Sequence, residues 1–282
     1  MLFQPEFYDA FLCRADACGH TCCRGWEIDV DDVTLARYAA VPGDFGVRLR
    51  DAVFADEYGA HFSLAEDDRC PFLQRDGLCE IISRLGEDAL CDICALHPRF
   101  FAEIGPHELR GLGLSCEAAC DLLLADDAPL CFLDADSGER MTLPELLGRL
   151  GIPCDPAALR FDGAPCSEAY LSRMALTEPI DGRWPGELSA LRRALAASAP
   201  ALPTGERYDR MLQYILFRQL DRTEETPLPA LISFARDSTA FVAAQDAVFG
   251  VSAEHLRRWS EQIEYSTENV EILLTFHRQE GV

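Results

Sequence analysis

The sequence predicts a mainly α protein: an irregular cysteine-rich metal-binding unit with little β structure over residues 1–125, followed by a helical bundle over 126–282. Three observations predict it. Helix-length segments with apolar residues at three- and four-residue spacing follow one another from about residue 142 onward. Ten of the thirteen cysteines lie in the first 120 residues, among short segments broken by Gly, Asp and Pro. No strand–loop–helix alternation is present that would build a large parallel sheet.

In chain order, Asp31 and Asp32 start a helix, DVTLARYAAV, that Pro42 and Gly43 end. A second helix is expected from about Asp44 to Tyr58. AHFSLAE alternates weakly and reads as a strand. Asp76-Gly77 is a hairpin turn signal that lets Cys70 and Cys79 face one another. EIISRLGEDALCDIC reads as short helical turns, Pro98 and Pro106 break the next stretch, and Ser115 is the expected cap of a helix beginning at Cys116. A connecting segment falls near 126–144. Beyond it, TLPELLGRLG and CSEAYLSRMAL are short helices, and Gly182 to Gly186 form a break containing Trp184 and Pro185. Thr204 is the expected cap of a helix through YDRMLQYILFRQLDR, and Leu228–Val248 and Ser252–Gln279 read as two more. Heptad runs, repeats and low-complexity tracts are absent from the sequence.

Charge narrows the function. The chain has 25 Lys and Arg against 48 Asp and Glu, a net charge of -23. Such a surface repels nucleic-acid phosphates and suits a basic, lysine-bearing protein partner. No apolar run approaches the ~18 residues of a membrane span, so no membrane partner is expected. The segment MLFQPEFYDAF has no basic stretch and carries Glu6 and Asp9, so it does not read as a secretory signal. The expected compartment is the cytoplasm, where disulfides are rare and closely spaced cysteines read as metal ligands or redox groups.

Four cysteine groups carry the chemistry: Cys18-x3-Cys22-Cys23, Cys70-x8-Cys79, Cys91-x2-Cys94 followed by His97 to Phe100, and Cys116-x3-Cys120. Thiolates are soft donors that suit zinc or iron–sulfur clusters. Adjacent Cys22 and Cys23 point in different directions, so they are not expected to ligate one ion together. The spacing is neither the two C-x-x-C knuckles of a zinc ribbon nor the C-x3-C-x2-C triplet of radical enzymes. Many thiols against six histidines favour iron–sulfur, with zinc still open. His20 and His97 are weaker ligand candidates. Gly111 and Gly113 are followed by Leu114, Ser115 and Cys116, which is not the G-x-G-x-x-G of a dinucleotide-type loop. Arg99, Arg24 and Arg110 are cations able to balance a thiolate cluster or grip a carboxylate, although surface ion pairing is the plainer role for Arg24 and Arg110. Glu80, Asp92 and Glu117 adjoin candidate ligands, and no catalytic base is assigned.

The order CGHTCCRGW, CPFLQRDGLCEI, LGEDALCDICALHPRF and GLGLSCEAA resembles the FliB-like flagellin lysine N-methylase family, with its YkgJ-type cysteine-cluster domain that chelates iron or zinc. The resemblance covers about residues 7 to 125 and continues more loosely through YILFRQ and IEYSTENVEILL. Cys18, Cys22, Cys23, Cys70, Cys79, Cys94 and Cys116 match the family's cysteine positions. Cys13 is a weaker match, Cys91 and Cys120 read as additions within a subgroup, and His97 stands where tyrosine is common. The resemblance implies an S-adenosylmethionine-dependent protein-lysine N-methyltransferase acting on flagellin, with a [4Fe-4S] cluster (or zinc) held by those seven cysteines. Within that reading Arg99 is the cofactor-binding candidate. The competing reading is a non-enzymatic zinc- or iron-binding protein of the YkgJ type.

Overall fold

The computed structural model describes residues 1–280. Contacts divide the chain into a compact unit of Leu12–Arg99 and a body made of Met1–Phe11 with the chain from Phe100 onward. The sequence reading set its division at residue 125 instead. The difference arises because the first strand and the segment after Phe100 carry apolar side chains that pack in the body's core.

The Leu12–Arg99 unit opens with an irregular segment and then α1 (Asp32–Ala40), capped by Asp31 as expected. Helix α2 (Gly43–Asp51) ends well before Tyr58. The chain instead doubles back there, pairing β2 (Val53–Ala55) antiparallel to β3 (Ala60–Phe62). The turn is fixed locally: the Asp56 carboxylate accepts from the Tyr58 backbone N–H at 2.8 Å. The Asp76-Gly77 turn also forms, with Leu73 bridged to Cys79 and Gly77 at φ +84, a conformation that favours glycine. The short helical turns after it are α3 (Glu80–Leu85) and α4 (Asp92–Leu96). Tyr38, Leu49, Phe62, Phe72 and Ile81 fill the core of this unit, with the Phe62 and Phe72 rings edge-on at 5.2 Å.

The body contains a five-stranded sheet that the sequence reading lacked. Its order is β4 (Arg99–Ile104), β5 (His107–Leu112), β1 (Leu2–Pro5), β6 (Cys131–Asp134) and β7 (Arg140–Thr142). The first strand runs parallel to β5, with Leu2 opposite Glu108, and antiparallel to β6, with Phe3 opposite Asp134. The strands β1, β6 and β7 are three or four residues long, β4 and β5 do not alternate cleanly in burial, and β1 finds its partners only through long-range folding.

Helices dominate the rest. Cys116, not Ser115, is the N-cap of α5 (Glu117–Leu124). A capping box of Thr142 and Glu145 starts α6 (Leu143–Arg149), and the Ser167 hydroxyl accepts from the Tyr170 N–H to start α7 (Glu168–Met174). Trp184 and Pro185 begin α8 (Trp184–Ser198) rather than break the chain, since proline lacks only an N–H that a first turn leaves unbonded. Gly205, not Thr204, caps α9 (Glu206–Phe217). Helix α10 (Leu228–Phe249) is buried along most of its length among α8, α9, α11 (Ala253–Ile263) and α12 (Thr267–Glu280). The single helix expected over 252–279 is therefore two, parted at Glu264 to Ser266. Phe132 of β6 meets Phe217 of α9 at 4.6 Å, joining sheet to helices. The Tyr214 hydroxyl accepts from the Leu112 N–H at 2.7 Å and donates to the Leu112 carbonyl at 2.8 Å. Among the described residues no helix is long and apolar enough to cross a membrane.

Candidate metal centre

Cys23, Cys70, Cys79, Cys91 and Cys94 all pack into the core of the Leu12–Arg99 unit. Each is delivered by a local device. The Cys23 carbonyl accepts from the Cys70 N–H at 2.9 Å, and Arg24 bridges Arg69, so the first and second cysteine groups lie side by side. The hairpin turn returns the chain to Cys79, which is the N-cap of α3. Cys91 is the N-cap of α4, and Cys94 lies on that helix. Asp31 couples α1 to α4: one carboxylate oxygen accepts from the Thr34 N–H at 2.8 Å, the other from the Asp92 N–H at 3.0 Å. Tyr38 donates its hydroxyl to the Ala89 carbonyl at 2.9 Å, closing the same side.

Neighbouring thiols are hydrogen-bonded in pairs, Cys22 with Cys23 and Cys91 with Cys94. A hydrogen bond from Cys22 holds Cys23 down to about 6 against the opposing effect of burial, with Thr21 assisting. A bond from Cys94 likewise lowers Cys91, and the same bond, then burial and the neighbouring Cys91 charge, raises Cys94. Burial pushes Cys70 up to about 12 and also raises Cys79, with nearby thiolates adding to both. Tyr38 is raised by burial first and then by the charges of Cys91, Cys94, Cys79 and Cys70. Among the described residues no disulfide is formed.

The other site candidates divide. Cys22 is exposed, and its carbonyl accepts from the Trp26 indole N–H at 2.5 Å. Cys18 is half-buried and donates its thiol to the His20 carbonyl at 3.2 Å, outside the group of core thiols. Cys116 belongs to the body, at the start of α5. Arg99 is half-buried at the first position of β4. His97 packs edge-on against Trp26, with ring centroids 5.4 Å apart, and burial lowers it to about 4, so its imidazole is neutral. Arg24 donates to the Asp67 carbonyl at 3.0 Å, and Arg110 to the Gln4 side chain at 2.7 Å. Glu80 is bound by Arg48 at 2.9 and 3.0 Å and by Arg84 at 2.7 Å, which makes it a structural acid.

Cys91 plays a larger part than the family match gives it, and His61 lay outside the sequence reading. Cys91, taken there as an addition, is 1% exposed amid the core thiols. His61 is buried with Nδ1 2.9 Å from Asp29 and 3.4 Å from Glu27, while Nε2 lies 3.3 Å from Asp56. Burial disfavours the charged imidazole, but these carboxylates outweigh it and raise its pKa. The alternation Glu27-x-Asp29 was the only signal in the sequence, and it required the β-bridge between Asp29 and His61 to give it meaning.

Relatives exist among curated proteins. The flagellar biosynthetic protein FliU of Salmonella muenchen is 26% identical over 147 residues, which are 50% of this chain and 86% of that protein. The lysine-N-methylases of Salmonella choleraesuis and Salmonella typhimurium are each 28% identical over 130 residues, 44% of this chain and 32% of theirs. The match therefore takes in less than a third of either methylase. No protein-family model and no solved structure matches the chain.

Proposed function

From this sequence kinship with FliB-like proteins and lysine N-methylases, we propose that the chain is a protein-lysine N-methyltransferase that uses S-adenosylmethionine and holds a metal centre in its thiol pocket. The observation that carries the centre is the packing of Cys23, Cys70, Cys79, Cys91 and Cys94 into one core as free thiols. Burial and neighbouring thiolates both oppose ionisation of Cys70 and Cys79. A soft cation replaces those protons and removes the repulsion, so the donor set fits zinc or a [4Fe-4S] cluster.

Cys23, Cys70, Cys79 and Cys94 are the proposed ligands, with Cys91 as an alternative and Cys22 as the hydrogen-bond donor to Cys23. The resemblance also implies Cys18, whereas Cys116, at the start of α5 in the body, is left outside the proposed centre. A cluster with an open iron would supply a point of attachment for the amino and carboxylate groups of S-adenosylmethionine. Arg99 is the residue proposed to hold that carboxylate, through its fork of N–H donors. The substrate amine must shed a proton before its lone pair attacks the methyl group. The net charge of -23 favours a basic, lysine-bearing substrate, and the flagellar relatives suggest flagellin.

The short overlap with the methylases favours a second reading, a YkgJ-type zinc- or iron-binding protein with no transferase activity. One experiment separates them. The protein is purified without oxygen, its iron, zinc and sulfide are measured, and it is then incubated with labelled S-adenosylmethionine and flagellin. Methyl-lysine in the product supports the transferase. Bound metal without methyl-lysine supports the second reading, and a metal-free protein overturns both.

A further inference from the structure

His61 stands on β3, 3% exposed, with its ring 5.4 Å from that of Phe54 on β2. Both ring nitrogens face carboxylates. Nδ1 lies 2.9 Å from Asp29 and 3.4 Å from Glu27, in the segment before α1, and Nε2 lies 3.3 Å from Asp56, in the turn between β2 and β3. An ionised carboxylate offers only acceptors, and a neutral imidazole carries a single N–H. The neutral ring therefore satisfies one side and sets a bare lone pair against the other, whereas the imidazolium donates in both directions. The cleft of about 490 Å³ beside the ring adds only acids, Asp31 and Asp32 at the start of α1 and Asp92 at the start of α4. Burial opposes the charge of the ring, but the bonds to Asp29 and Asp56 and the charge of Glu27 outweigh it, so the proton is held above the ordinary imidazole value of 6.5.

The backbone around the ring is tied unevenly. The Val30 N–H donates to the Ala60 carbonyl at 2.7 Å, and the Phe62 N–H to the Ile28 carbonyl at 3.0 Å, so the bridge between Asp29 and His61 is braced on both sides. The turn has only its own bonds, from the Asp56 N–H to the Gly59 carbonyl at 2.9 Å and from the Tyr58 N–H to the Asp56 carboxylate at 2.8 Å. Its tip residue, Tyr58, is 84% exposed and adds little packing.

We propose that His61 is a pH-operated clamp on this turn: its imidazolium ties Asp56 to Asp29 across the bridge, and loss of one proton frees the Asp56 arm. The proton that leaves is the one on Nε2, because Nδ1 has two carboxylates and the shorter contact to hold its own. The clamp is closed below the ordinary imidazole value and opens as pH rises through the higher value of the folded protein. Tyr58, Gly59 and Ala60 form one wall of the cleft, so the open state loosens that wall while the braced bridge stays paired.

The test follows the full chain by NMR over about pH 5 to 9, reading the His61 ring nitrogens and amide exchange corrected for its intrinsic pH dependence. His61 should titrate above 6.5, with Nδ1 the nitrogen left protonated. Protection of residues 56–59 should fall about threefold or more through the same midpoint, with α9 and α10 unchanged. Asp56→Asn alters a side chain that is 40% exposed and keeps an oxygen for the Tyr58 N–H, so the variant should fold. It should move the His61 midpoint down by about half a pH unit and flatten the pH dependence of the turn. A midpoint at or below 6.5, an Nε2 that stays protonated, or a turn that keeps its full pH dependence in Asp56→Asn would overturn the proposal. So would an equal loss of protection in α9 and α10, which marks general unfolding.

Discussion

Replacing Asp31 should loosen two helices at once, one of which carries two of the core thiols. Its carboxylate caps α1 through Thr34 and reaches the first residue of α4 through Asp92, at 2.8 and 3.0 Å. Loss of an N-cap costs about 1 kcal/mol. The second bond is charge-assisted but half-exposed, and about 1 kcal/mol is a fair discounted value. Asp31→Ala should therefore cost about 2 kcal/mol of stability in the Leu12–Arg99 unit. Asp31→Asn keeps an oxygen for Thr34 but offers an amide to the Asp92 N–H, and should cost about half as much. The pKa of Asp31 is lowered, since the backbone bonds from Asp92 and Thr34 outweigh burial. Its contribution is thus fully present above the ordinary carboxylate value near 3.8 and fades as pH falls through the lower folded value. The assay pairs urea denaturation with hydrogen exchange over residues 32–40 and 92–96 and with the rate at which a thiol reagent labels Cys91 and Cys94. Labelling should quicken in the order wild type, Asn, Ala, and the gap between wild type and Ala should narrow below pH 4. Unchanged labelling in a destabilised Asp31→Ala protein would refute the coupling of this cap to the thiols.

Three more outcomes follow from the geometry. Tyr214→Phe removes the hydroxyl that serves both the N–H and the carbonyl of Leu112, leaving the carbonyl only Arg218 at 3.5 Å, and should cost about 1–3 kcal/mol, read by denaturant titration. Gly111→Ala would set a Cβ 2.5 Å from the Phe100 ring and 2.8 Å from the Tyr214 hydroxyl, and should cost about 1–3 kcal/mol by overpacking. Cys70→Ser should abolish metal occupancy measured by elemental analysis, and chelation should raise hydrogen exchange in residues 12–99 while the α8–α12 helices stay protected; Cys154→Ser should do neither.

Helices were legible in the sequence where their ends carried polar caps. Asp31, Thr142, Ser167 and Ser252 each announce a helix that forms at that place. Thr204 and Ser115 misled because the neighbouring residue took the cap in each case. The sheet was illegible for a physical reason. Leu2–Pro5 carries no period of its own, and its partners lie more than a hundred positions onward. Of the cysteines expected to converge, Cys23, Cys79 and Cys94 pack into one core with Cys70 and Cys91, whereas Cys116 stands on α5 of the body. Cys91 could not be separated from its neighbours, because spacing reports reach along a chain and not depth in a core.

The body is discontinuous in sequence, and this has a consequence for synthesis. The strand made of Leu2–Pro5 sits between β5 and β6, which leave the ribosome only after the whole Leu12–Arg99 unit. At translation rates of about 5–20 residues per second, that strand waits roughly 10 s with its edges bare. The thiol-bearing unit is complete in the meantime. If the thiols hold the proposed metal, its capture can precede closure of the sheet, and starvation for metal during translation would act on a nascent chain whose Leu2–Pro5 strand is still unpaired and open to the wrong neighbour.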